Sequence, residues 1–262
     1  IVVVDRNCHK SILHSIIMTG AIPVFLMPTR NNFGIIGPIP KSEFAWENIQ
    51  KKIDANPFIE DKTAKPRVLT ITQSTYDGVL YNVEDIKEML DGRIDTLHFD
   101  EAWLPHAAFH DFYGDYHAIG ADRERCKESM VFSTQSTHKL LAGLSQASQI
   151  LVQDSEDRKL DRDVFNEAYL MHTSTSPQYS IIASCDVAAA MMDAPGGKAL
   201  VEESIMEALN FRRAMRKVDE EWGADWWFKV WGPDDLSEEG IEEREAWMLK
   251  PGERWHGFGQ LA

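Results

Sequence analysis

Cysteine is scarce. The 262 residues hold three, Cys8, Cys126 and Cys185, widely scattered and without a CxxC pair. An odd, dispersed set excludes a disulfide scaffold and fits a reducing compartment, so a cytoplasmic location is expected. Positive charge is also in short supply. Lys plus Arg number 27 against 42 Asp plus Glu, a formal net charge of −15. That balance excludes a general nucleic-acid binder, which needs a basic face to displace counterions. Long apolar runs are missing as well. Ile1 to Val4 and Ala188 to Met192 are far too short to span a bilayer, so no membrane partner is expected. No basic segment precedes an apolar one in the manner of a secretory leader. Nor does the chain open on Met: Ile1-Val2-Val3-Val4-Asp5 starts inside an expected buried strand, which suggests a piece of a longer protein.

What is present is a globular composition, 44% hydrophobic and 26% charged, enough for a full core. Short β-branched runs alternate with helical stretches. Ile1 to Val4 reads as a strand covered on both faces. Strands follow at Ile22 to Leu26, Val68 to Thr72, Thr96 to Phe99, Ser129 to Ser133 and Ala147 to Val152. Lys10 to Thr19 reads as a helix ended by Gly20. Ser42 is a candidate cap for a helix through Ile53, and Asn82 for Val83 to Leu90. Phe165 to Met171 looks helical. Ser176-Pro177 resembles a cap followed by a first-turn proline for a helix reaching Met192. Leu200 to Trp222 carries Val201, Ile205, Ala208, Phe211, Met215, Val218 and Trp222 at helical spacing. Alternating strands and helices imply an α/β fold, a mostly parallel sheet with helices on both faces. The tail differs. Seven acidic residues and one Arg between Pro233 and Glu245 read as a solvated connection. The aromatic pieces Trp226 to Trp231 and Trp255 to Phe258 read as the start of a second domain. The expected division is therefore residues 1–222 and 223–262.

Ligands of open α/β sheets collect at the carboxyl ends of the strands. Those ends carry Asp5 to Lys10, Ser74 to Asp77, Asp100, Glu101 and Trp103, and Ser136-Thr137-His138-Lys139. The last cluster is the sharpest. A lysine just past a buried strand is a candidate for imine formation, because desolvation can keep part of its amine neutral. Ser136 and His138 could hold a phosphate. Asp100 could pair with a protonated heterocyclic nitrogen. These are the parts of a pyridoxal phosphate enzyme. Read plainly, Lys139 is a surface lysine, Asp100 and His9 are helix caps, Trp103 is a packing aromatic, and Ser74 to Asp77 is a turn.

The strings VDRNCHKS (Val4 to Ser11), STYDG (Ser74 to Gly78), HFDEAW (His98 to Trp103), STHKLLAGLSQAS (Ser136 to Ser148), FNEAYLMHTSTSP (Phe165 to Pro177) and WHGF (Trp255 to Phe258) run in order along nearly the whole chain. Together they resemble the Orn/Lys/Arg decarboxylases, bacterial fold-type-I pyridoxal phosphate enzymes for basic amino acids. LHSIIMTGAIP (Leu13 to Pro23) and AAFH (Ala107 to His110) are similar to the constitutive lysine-type branch. GIIGPI (Gly34 to Ile39) is similar to the arginine type.

The resemblance implies a three-layer, aspartate-aminotransferase-like large domain, incomplete at its N-terminus, with the start of a C-terminal α+β domain. It implies pyridoxal 5'-phosphate as cofactor and a basic amino acid as substrate, lysine first and arginine or ornithine next. It implies a homodimer or larger assembly. Lys139 matches the lysine that carries the cofactor as an imine, Asp100 the partner of the pyridine nitrogen, and His9 the histidine stacked on the ring. Ser136 and His138 match residues beside the phosphate and the imine, and either Lys139 or His138 would return the proton. Trp103 matches an aromatic near the cofactor. Thr173 to Ser176, with Thr175 and Ser176 as the contacting pair, resembles a stretch reaching the phosphate from the partner subunit. In the family a Gly/Ser/Thr-rich phosphate loop lies upstream of the region matched here. Two other readings stand beside this one. A piece of such an enzyme could fold or dimerise without cofactor. Alternatively His106 and His110, spaced i, i+4, could share a helix face and hold a metal with His98, Asp100 and His117, as in a hydrolase.

Overall fold

Six short strands carry the chain: β1 (Val2–Asp5), β2 (Pro23–Leu26), β3 (Val68–Thr72), β4 (Thr96–Asp100), β5 (Met130–Gln135) and β6 (Gln149–Gln153). A computed structural model describes residues 1–30, 34–121, 123–227 and 230. The strands form one sheet in the order β2-β1-β3-β4-β5-β6. The first five are parallel and β6 is antiparallel to β5. The reason lies in the connection. A parallel crossover needs a dozen or more residues, usually built around a full helix. Residues 136–148 hold only the four-residue helix α4 (Thr137–Leu140), so the chain turns straight back.

Period-two alternation sorts the side chains. Val3, Leu69, Ile71, Leu97, Phe99 and Val131 share one face and one buried cluster. Helices α2 (Trp46–Ala55) and α3 (Val83–Leu90) cover that face with Ile49, Ile53, Val83, Ile86 and Leu90. Each such side chain contributes about 1.5–3 kcal/mol relative to exposure. The other face shows Val4, Thr70, His98 and Phe132 in register. Strand order reverses direction around β1. Right-handed crossovers therefore place α1 (Lys10–Thr19) opposite α2 and α3. From α5 (Arg162–His172), Phe165 meets Phe132 on the α1 side, ring centroids 6.1 Å apart. The result is the α/β three-layer arrangement.

Two expected punctuation marks are in place. Gly20 sits at φ 65° after α1, a left-handed position where a side chain would be strained. Asn82 Oδ1 accepts from the Asp85 amide at 3.1 Å and caps α3. Three other expectations differ. Ser42 lies inside a 3-10 turn, Lys41–Phe44, and α2 starts later without a side-chain cap. Ser176-Pro177 does not start a helix: α6 (Tyr179–Met192) begins after Gln178. Helix α7 (Gly196–Trp222) is longer at its start than its apolar stripe. Gly197 makes that start possible, since a Cβ there would strike the Met192 carbonyl. Only part of the stripe is covered. Leu209, with Ile205 and Met206, packs on Leu80, Leu104, Ala107 and Tyr116, whereas Phe211 and Trp222 are exposed. The expected second-domain segments, WHGF included, lie outside the described residues save for Trp226, Trp227 and Val230. Among the described residues no helix is long and apolar enough to cross a membrane.

Candidate active site

The site is assembled where β4 and β5 end side by side. Register pairs Asp100 with Thr134, so Asp100 and Ser136 leave adjacent parallel strands at the same edge. Asp100 Oδ1 accepts from the Ala102 amide at 3.1 Å, the capping role its position suggested. Its second carboxyl oxygen has no partner among the described residues. Ser136 is the residue before α4, and its hydroxyl caps nothing. One turn on, Lys139 Nζ lies 4.7 Å from the centroid of the Trp103 ring. Tyr76, from the β3 edge, meets Trp103 edge-on at 5.2 Å. A cation over an indole face is attracted by the ring quadrupole. No carboxylate lies within ion-pair distance of Lys139 among the described residues. Its amine is thus held by an aromatic face rather than consumed by a salt bridge.

Close packing fixes this loop. His138 Nδ1 is 2.7 Å from the Ala147 carbonyl. A carbonyl only accepts, so Nδ1 carries the proton and Nε2 is left as the open nitrogen. Across the loop, the Leu144 amide donates to Ser184 Oγ on α6 at 2.9 Å. A Cβ on Gly143 would come within 2.9 Å of Ala147 Cβ. The lysine therefore sits on a constrained turn.

The structure brings Asp100, Trp103, Ser136, His138 and Lys139 to one edge. His9 is farther along it. It caps α1 through Nδ1, which accepts from the Ser11 amide at 3.3 Å, and it is exposed. Thr175 and Ser176 are exposed between α5 and α6, with the Ser176 amide donating to Ser174 Oγ. No contact among the described residues joins them to Lys139 or Asp100. A cavity of about 710 Å³ opens beside the site, lined among others by Ser74, Trp103, His106, Leu140, Met191 and Arg212.

The metal reading fails on geometry. His106 and His110 flank a 3-10 turn, Ala107–Phe109, and share no helix face. His110 Nδ1 accepts from the Phe112 amide, and the His106 ring stands edge-on to Tyr113. Burial pushes the His106 imidazole down from 6.5 to about 4, and its Nδ1 is buried without a partner among the described residues. This has a consequence for stability. Above pH 6.5 both folded and unfolded chains hold the ring neutral. Below it the unfolded chain binds a proton that the folded chain refuses. Stability should therefore fall between pH 6.5 and 4, by roughly 3 kcal/mol at most. Thermal unfolding over that range should show a shallower loss in His106→Phe than in the wild type. Equal slopes would show that His106 is not the group responsible.

Sequence reasoning named two further groups without assigning them the surroundings found here. His98 lies between Thr70 Oγ1 at 3.2 Å and Thr134 Oγ1 at 3.1 Å, on the same strand face as Asp100. Burial lowers its pKa and the Asp100 charge opposes the shift. The other is Glu101, fully buried among donors from β5 and the 116–118 segment. The alternation of β4 turns Phe99 and Glu101 to the core face, and that was the available signal.

A family model described as "Orn/Lys/Arg decarboxylase, major domain" matches residues 1–262. The chain belongs to the Orn/Lys/Arg decarboxylase family. Among curated relatives, lysine decarboxylase LdcA of Pseudomonas aeruginosa is 53% identical over 265 residues, covering 100% of this chain and 35% of that protein. The biodegradative arginine decarboxylase of Escherichia coli is 43% identical, covering 100% of this chain and 37% of that protein. The chain thus spans about a third of the length of these relatives. Among solved structures, lysine decarboxylase A from Pseudomonas aeruginosa superposes with a TM-score of 0.88 at 53% identity, over 100% of this chain and 35% of that one. The constitutive lysine decarboxylase of Escherichia coli gives 0.83 at 43% identity, over 98% and 34%. For this Orn/Lys/Arg decarboxylase chain, three uncommitted groups at one sheet edge fit pyridoxal phosphate: an amine, a carboxyl oxygen and a hydroxyl.

Proposed function

We propose that the protein uses pyridoxal 5'-phosphate to decarboxylate a basic L-amino acid, lysine first and arginine or ornithine next, to its amine and CO₂. The observation that carries this is the Lys139 amine, without a carboxylate partner among the described residues and seated over Trp103 beside the strand end that presents Asp100. When bound, the cofactor supplies a charged pyridine ring that accepts the electron pair left by departing CO₂. The protein does the rest. Lys139 would hold the cofactor through its amine. The Asp100 carboxylate would keep a proton on the pyridine nitrogen, a fixed charge of the preorganised kind that stabilises developing charge. Ser136 offers its hydroxyl to the phosphate, and Trp103 limits water on one side. Either Lys139 or the open Nε2 of His138 returns a proton to the substrate carbon.

Family relatives in the lysine and arginine branches favour a cationic side chain, and the net charge of −15 attracts one. His9 would stack on the ring, replacing its present exposure with contact. Thr175 and Ser176, exposed in one chain, would reach the phosphate of a partner in a homodimer or larger assembly. The setting is cytoplasmic. The test is amine analysis of the full-length protein with lysine, arginine and ornithine side by side. The lysine product should form with the highest kcat/KM. Formation of no amine from any of the three, with the cofactor present, would refute the reading.

A further inference from the structure

The structure assigns Glu101 as the positioning residue that fixes the offset between Asp100 and the Ser136–Lys139 turn, an inference that rests on the cofactor reading above. Glu101 follows Asp100 directly but faces the opposite side of the sheet, where it is 0% exposed. Its backbone amide donates to the Thr134 carbonyl at 2.9 Å. Its carboxylate gathers three donors from two directions. Oε1 accepts from the Ala118 amide. Oε2 accepts from Ser133 Oγ at 2.6 Å and Gln135 Nε2 at 2.8 Å. Gln135 immediately precedes Ser136, and Gln149 Nε2 on β6 donates to Gln135 Oε1 at 2.6 Å. One carboxylate thus ties the ends of β4, β5 and β6 together beneath the site.

Burial raises the Glu101 pKa, while its three donors and the nearby Lys87 charge work the other way. Lys87, itself buried, donates to the Ala118 carbonyl at 2.9 Å and to Glu84 at 3.0 Å. Ala118 therefore stands between a buried cation and a buried anion. Three charge-assisted bonds to one carboxylate are about twice as strong as neutral ones. They are also directional. Every neighbour of Glu101 is a donor, so only an acceptor-only group satisfies the pocket. A glutamine in its place must turn its NH₂ toward Ala118 N–H or toward Gln135 NH₂. Gln135 can meet that NH₂ with its oxygen only if its own amide and that of Gln149 turn over together. Where they do not, donor faces donor and the β5 end is pushed away from β4. A displacement of about 1 Å between reacting groups costs on the order of 100-fold.

The test uses the full-length protein. Wild type, Glu101→Gln, and the exchanged pair Glu101→Gln with Gln135→Glu are incubated with limiting pyridoxal phosphate. The lysine adduct trapped by borohydride and the visible absorbance are then measured, alongside kcat, KM and melting temperature. The exchanged pair restores donor to acceptor with the same net charge. Glu101→Gln should trap at least fivefold less adduct on Lys139 and lose about 10–100-fold in kcat, with KM within twofold. The exchanged pair should recover at least half of the trapped adduct. A folded Glu101→Gln protein with wild-type adduct and kcat would overturn the assignment. So would an exchanged pair that melts like the wild type yet recovers nothing. If Glu101→Gln does not fold, Ser133→Ala removes one donor and keeps the charge. It should lower trapping severalfold, and unchanged trapping would overturn the assignment. A wild-type control without adduct on Lys139 would instead refute the cofactor reading, and this inference with it.

Discussion

Replacing Lys139 with Ala in the full-length protein should lower kcat by about 10³-fold or more, the scale on which covalent assistance from a positioned group is lost. The reasoning starts from the surroundings of the amine. Nζ lies over the Trp103 ring at 4.7 Å and has no carboxylate partner among the described residues. An ammonium in a salt bridge is stabilised in its charged form and is a poor nucleophile. The Lys139 amine has no such salt bridge among the described residues and lies over an indole face, half-buried. The turn that carries it is pinned by the His138–Ala147 bond and by the Leu144–Ser184 bond, so the amine meets its target without a search. Lys139→Arg keeps the charge and the aromatic contact, but a guanidinium does not form an imine and stays protonated. It should fail as badly as Ala. Lys10→Ala, at an exposed helix start, should keep full turnover. Steady-state kinetics on the three variants check this. A Lys139→Ala enzyme with more than a tenth of wild-type kcat would remove the residue from the mechanism.

The second large effect belongs to Asp100. Asp100→Asn should cost about 10²–10³ in kcat, comparable to the loss of one preorganised electrostatic group in other enzymes. The substitution is nearly isosteric. Asparagine can still accept from the Ala102 amide through its side-chain oxygen, so the local turn survives. What disappears is the negative charge at the end of β4. Without it a bound pyridine nitrogen has no reason to keep its proton. The melting temperature should therefore move by less than about 2 °C, the size of a fraction of a kcal/mol in a domain of this length, while turnover collapses. Asp100→Glu keeps the charge but lengthens the arm by one methylene, and should retain more activity than Asn. If Asn and wild type turn over alike, the carboxylate is a cap and nothing more.

Much of this architecture is written locally. Val2 to Val4, Val68 to Thr72 and Thr96 to Phe99 are strands because β-branched and apolar residues pack well on a pleated surface. Gly20 and Asn82 end and begin helices through their own backbone and side-chain chemistry. Asp100 and Lys139 could be placed at one edge because parallel strands deliver their ends together. What failed were local signals with competing uses. Ser42 and Ser176 have the chemistry of caps, yet serine hydroxyls also bond within turns, as Ser174 does with Ser176. The stripe on α7 obeys helical spacing, but spacing does not say which residues find a neighbour. His106 and His110 have a metal spacing only if a helix forms, and the chain there makes 3-10 turns instead. The partners of Glu101 were not legible for a different reason. Its partners Ser133 and Gln135 lie more than thirty residues away, and only strand pairing brings them together.

The most direct measurement is chemical. The full-length protein is loaded with pyridoxal phosphate, reduced with borohydride, digested and mapped by mass spectrometry. The account requires the phosphopyridoxyl group on Lys139. A label on another lysine, such as Lys10 or Lys87, or no label at all, would contradict it.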